Sequence, residues 1–117
     1  MKRLFIQTAF ENSLWNSTQN IIKSCANQIE PEDIGFENAD AIKFSKINKL
    51  HIEDDFETED TNDDTKLISG TMTADITVQG IKDNIPCGEK STQMVFSYQF
   101  EIDERNRPGL LHMEWVD

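Results

Sequence analysis

No stretch of the 117-residue chain comes near the roughly 20 apolar residues of a membrane helix. Leu4, Phe5 and Ile6 follow two positive charges, but Gln7 and Thr8 end that run after three residues. A secretory signal needs about 7–15 apolar residues, so none is expected. Cysteine is scarce as well: Cys25 and Cys87 are the only two, and they form no CxxC. A disulfide framework, a zinc ribbon and a thioredoxin-type site all lack their ligands. Two free thiols in a cytoplasmic protein are the expectation. Basic residues are few, 11 Lys and Arg against 22 Asp and Glu, for a formal charge of −11. Affinity for phosphates comes from Lys and Arg, so no direct nucleic-acid binding is expected. Neither GxGxxG nor GxxxxGK[ST] occurs, so no nucleotide cofactor is called for.

What is present suffices for one domain over residues 1–117. A mass of 13.5 kDa fits the usual domain size, and 37% hydrophobic residues exceeds a disordered composition. Leu14, Thr18, Ile21, Ile22, Cys25, Ala26 and Ile29 recur at helical spacing. Ser13 is the expected N-cap, and Pro31 stops the helix. Residues 3–10 either extend it backwards or form a short strand rich in Leu, Phe and Ile; the extension is the reading adopted, giving one long helix over about 3–28. Residues 31–40 read as a loop. A strand is expected near 47–57, with Leu50, Ile52 and Phe56 on one side and His51, Glu53, Asp55 and Glu57 on the other. Asp54 falls on the apolar side, so the strand is leaving the sheet there.

Two further strands alternate cleanly, at about 66–79 and 91–103, as antiparallel strands with one wet face do. Residues 80–90 read as a connection of about ten residues, because Gly80, Pro86 and Gly88 interrupt the pattern. A last strand spans about 110–116, with Leu111, Met113 and Trp115 on one face. Sequential strands pair most readily as a meander, and its apolar face needs the helix stripe to cover it. The fold class is therefore α+β, an N-terminal helix on a four-stranded antiparallel meander. In topology alone this order resembles the cystatin-like arrangement; no family motif accompanies it. No internal repeat is found.

The negative charge is concentrated. Residues 53–64 hold eight acids among twelve positions and no base, and the chain without them carries only −3. As a hairpin loop the segment keeps the protein soluble and discourages edge pairing. It also offers a surface that attracts a basic partner. Alternate carboxylates on a strand lie about 6.6–6.8 Å apart, near the phosphate spacing of one nucleic-acid strand. The partner-binding candidates are Asp54, Asp55, Glu57, Glu59, Asp60, Asp63 and Asp64. Asp60, Asn62 and Asp64 also match the start of a calcium loop, but Thr65 replaces its glycine and Thr71 its bidentate glutamate.

Other chemistries are thinly supported. His51 shares a strand face with carboxylates, yet a meander puts His112 at the far edge, which leaves a metal site incomplete. Cys87 sits in a Pro-Cys-Gly turn with no histidine near it in sequence. Trp15 and Trp115 are expected to pack in the core; an exposed Trp15 would be an interface anchor. The favoured function is a small acidic, non-enzymatic module of the inhibitor or immunity type that docks on a basic protein. A second reading is an accessory or sensor domain of a larger assembly, since the chain stops one residue past the last expected strand. A third is a ligand carrier or enzyme using a curved sheet.

Overall fold

The computed structural model describes residues 3–61 and 64–116. The chain forms α1 (Arg3–Glu11), α2 (Trp15–Ala26), a 3-10 helix (Pro31–Ile34), β1 (Ala41–Ile52), β2 (Glu57–Asp60), β3 (Lys66–Lys82), β4 (Ile85–Ile102) and β5 (Pro108–Trp115). The class is α+β, two helices preceding one antiparallel sheet. The strand order is β1-β3-β4-β5, with β2 also paired to β3, so five strands replace the expected four.

The single helix expected over 3–28 is broken at residues 12–14, and the geometry of an α-helix explains the break. α1 buries Ile6, Ala9 and Phe10, while α2 buries Thr18, Ile22 and Ala26. At 100° per residue, the 16 steps from Ile6 to Ile22 place these stripes about 160° apart on one straight helix. Both can face the sheet only if the chain turns between them. Asn12 and Ser13, weak helix formers, occupy the turn. Leu14 is buried at the corner, and its N–H donates to the Ala9 carbonyl at 2.9 Å. The cap position of α2 is Leu14 rather than the expected Ser13, and no side chain caps it.

β1 begins at Ala41, well before the expected start at 47. Its buried or half-buried apolar residues are Ile42, Phe44, Ile47, Leu50 and Ile52. Two of those gaps are three residues rather than two, and register shifts fall in both. Each is a β-bulge that restores the apolar face. The connection expected over 80–90 is instead mostly strand. β3 and β4 meet at Asp83 and Asn84, both at positive φ, as a two-residue hairpin turn requires. The apparent breakers Gly80 and Gly88 stand opposite one another beneath Phe36. A Cβ on Gly80 would lie 2.8 Å from the Phe36 ring, so the ring requires glycine there.

The core lies between the helices and one face of the sheet. Met72, Ile76, Met94, Phe96 and Phe100 come from the sheet, and Ile6, Phe10 and Ile22 from the helices. Phe10 meets Tyr98 and Phe100 edge-on, with ring centroids 4.9 and 5.4 Å away. On β5 a register shift puts Leu110, not the expected Leu111, opposite Phe100. Leu111 is left exposed.

Candidate functional site

The acidic segment is not a plain hairpin loop. β1 and β2 both pair with β3, Ile52 standing opposite Met72 and Glu57 opposite Ser69. Four residues, Glu53–Phe56, therefore face two, Gly70 and Thr71, and the chain arches out of the sheet. Glycine is needed beneath the arch. A Cβ on Gly70 would lie 2.7 Å from the Tyr98 hydroxyl and 3.1 Å from Phe56 Cβ. Tyr98, directly opposite Gly70, is only 2% exposed, and its hydroxyl has no hydrogen-bond partner. Burial, with the negative Asp55 nearby, pushes its pKa up to about 12.

Six of the seven candidate acids can be placed. Asp54 and Asp55 ride on the arch, and Arg3 Nη1 reaches Asp54 Oδ1 at 3.4 Å across an exposed contact. Glu57, Glu59 and Asp60 are exposed on β2. Thr58 stands opposite the buried Ile68, so Glu57 and Glu59 take the solvent face, opposite Ser69 and Leu67. Asp60 stands opposite Lys66. Asp64 has φ +58° in the turn that Thr61 N–H closes on the Thr65 carbonyl at 3.0 Å. Asp63 lies outside the described residues, as does Asn62 of the calcium-like pattern. Among the described residues, Asp54 is the one member of the set in an ion pair.

The register adds residues that sequence reasoning missed. Glu101 stands opposite Leu67 on the solvent face, so it and Glu59 flank that leucine. Some forty residues of chain separate the two glutamates, and only strand pairing unites them. At the other end of the same face, Lys43, Lys46 and Lys49 stand opposite Gln79, Thr77 and Asp75. These partners alternate along β3, so all three lysines share one face. A regular strand would have split lysines spaced by three; the two bulges align them. The signal was legible in the apolar gaps of β1. Asn48, at the second bulge, donates to the Thr77 hydroxyl at 2.9 Å. From Asp75 to Ser69, opposite Lys49 and Glu57, the charged ends are about 20 Å apart, more than two Debye lengths at physiological salt. Neither end neutralises the other.

The remaining candidates are dispersed. His51 and His112 lie on opposite edge strands, His51 Nε2 sitting 4.0 Å from Glu53 and His112 Nε2 3.4 Å from Glu114. Among the described residues no group of three His, Cys, Asp or Glu side chains could hold a metal. Cys87 is exposed; Cys25 is half-buried, and burial pushes its thiol pKa up. Trp15 is half-buried against the core. An open groove of about 360 Å³ runs between α1 and β1, lined by Arg3, Gln7, Glu11, Lys49 and His51 among others. It holds no nucleophile beside a base. Among the described residues no helix is long and apolar enough to cross a membrane. Comparison with protein families, curated proteins and solved structures finds no match to this chain.

Proposed function

We propose that the arch and β2 form a docking surface for a basic protein partner, in a module that binds and does not catalyse. One observation carries this reading. The carboxylates of Asp55, Glu57, Glu59, Asp60 and Asp64 are exposed and, among the described residues, unpaired, on backbone largely held by β3. Unpaired like charges on an ordered edge raise the local potential and speed encounter with an oppositely charged surface. Glu101 extends that surface across β4. The module works in a reducing cytoplasm, where Cys25 and Cys87 stay thiols.

The test pairs the native chain with Asp55→Asn/Glu57→Gln/Glu59→Gln/Asp60→Asn. A partner captured from a native lysate is purified, and its association rate with both chains is measured at low and moderate salt. The expected result is a slower association with the variant, the gap being widest at low salt. Equal rates at both salt concentrations would remove the arch and β2 from the interface.

A further inference from the structure

We propose that the outer edge of β5 pairs with the same edge of a second copy of this chain, antiparallel, about a two-fold axis through Met113. This surface is separate from the acidic one and does not depend on it. The Val116 N–H donates to the Val95 carbonyl at 2.8 Å. In an antiparallel ladder the alternate residues, Met113 and Trp115, then turn their N–H and C=O groups away from β4. Among the described residues no hydrogen bond to those groups is formed outside the sheet. Among the described residues, three of the six large exposed apolar side chains lie along this strand end: Leu111 at 51%, Trp115 at 36% and Val116 at 52%.

The sequence at this edge complements itself. With the axis at Met113, His112 stands opposite Glu114 of the second copy, and Leu111 opposite its Trp115. Each pairing occurs twice. An imidazole facing a carboxylate and an apolar pair directly across a ladder are favourable, whereas two carboxylates facing one another are not. Moving the axis to Glu114 would set two carboxylates against each other, and moving it to His112 would lose both His112–Glu114 pairs, so this pairing selects the register.

The overall charge selects the edge. Two chains of −11 repel, and pairing through β1 and β2 would bring their acidic strands together. Pairing through β5 leaves β2 three strands away from the axis in each copy. Seven strand intervals then separate the two β2 strands, about 34 Å, or some four Debye lengths. The other open stretch of edge, β4 before Met94, carries Pro86 and Lys90, which protect it.

The experiment has two parts. Sedimentation of the native chain is followed from micromolar to millimolar concentration. The apparent mass is expected to double from 13.5 kDa, at lower concentration when salt is raised, because screening relieves the repulsion. Leu111→Lys/Val116→Lys, at two exposed positions, is expected to stay monomeric with an unchanged circular dichroism spectrum. Separately, Met113→Cys in a Cys87→Ser background is oxidised under the same conditions. Cα atoms about 5.5 Å apart across the axis permit a disulfide. Glu114→Cys in the same background is the control, since its two copies sit diagonally, beyond the roughly 7 Å limit. Cross-linking of the first and not the second supports the proposal, even if the lysine variant fails to fold. A monomer at millimolar concentration in high salt overturns it, as does equal cross-linking of both, or a folded lysine variant that still dimerises.

Discussion

The two long edges of the sheet are finished differently. β1 is bulged twice, carries Lys43, Lys46 and Lys49, and is covered by the helices: Gln7 donates from Nε2 to the Leu50 carbonyl at 2.8 Å, and the Asn27 side-chain oxygen accepts from the Phe44 N–H at 2.8 Å. β5 has one bulge, no lysine and a row of exposed apolar side chains. Bulges, lysines and covering side chains are the usual devices against edge-to-edge pairing. The contrast teaches that the fold closes one edge and leaves the other available. The closed edge depends on the helix layer above it and on the arch that continues it.

The largest expected effect comes from loosening that layer. Phe10→Ala removes the ring that holds α1 over Tyr98 and Phe100 and should cost about 3–5 kcal/mol. Urea denaturation checks it. A loss under about 1 kcal/mol would mean that other contacts hold the cover in place.

Alkaline pH probes the floor of the arch. The Tyr98 pKa is raised from 10.0 to about 12, so the folded protein keeps a proton that the unfolded chain releases first. This contribution is whole below pH 10 and disappears as pH rises towards 12. At about 1.4 kcal/mol per unit, nearly 3 kcal/mol is lost across that window. Comparing denaturation of the native chain and Tyr98→Phe at matched pH isolates the effect. Identical slopes for the two chains would show that the hydroxyl is reached by solvent. At neutral pH, Tyr98→Phe should be neutral or slightly stabilising, since the hydroxyl it removes has no partner.

Gly70→Ala sharpens the same point. The added methyl meets Tyr98 and Phe56, and the resulting shift should cost about 1–3 kcal/mol. Thermal unfolding measures it. An unchanged midpoint would mean that the arch yields freely.

The smallest expected loss of stability is at the cover itself. Asn27→Ala leaves the Phe44 N–H without its acceptor and should cost about 1 kcal/mol. Amide hydrogen exchange at Phe44 should accelerate while exchange at Phe96 stays slow. Parallel acceleration at both would show the edge and the core opening as one unit.

Much of this architecture was legible in the residues. The alternation of Ile68, Met72, Ala74, Ile76 and Val78, and of Met94, Phe96, Tyr98 and Phe100, placed β3, β4 and their buried faces. The acidity of residues 53–64 was equally plain. Three things were not legible, each for the same reason. The helix break at residues 12–14 was hidden because each half has a good stripe, and only the sheet requires both stripes on one side. Gly80, Pro86 and Gly88 looked like breakers because the Phe36 ring above the glycines comes from a distant loop. The strand β2 was hidden because its partner in β3 lies beyond the arch.

The sequence by itself determined the α+β class, the core-forming side chains and the site of the negative charge, since periodicity and composition are local properties. Tertiary structure alone decided that the acidic segment is an arch plus a strand, that Glu101 joins it, and that three lysines share one face. It also decided that one edge is covered and the other open. Those outcomes depend on register, and register is a relation between strands that local spacing does not contain.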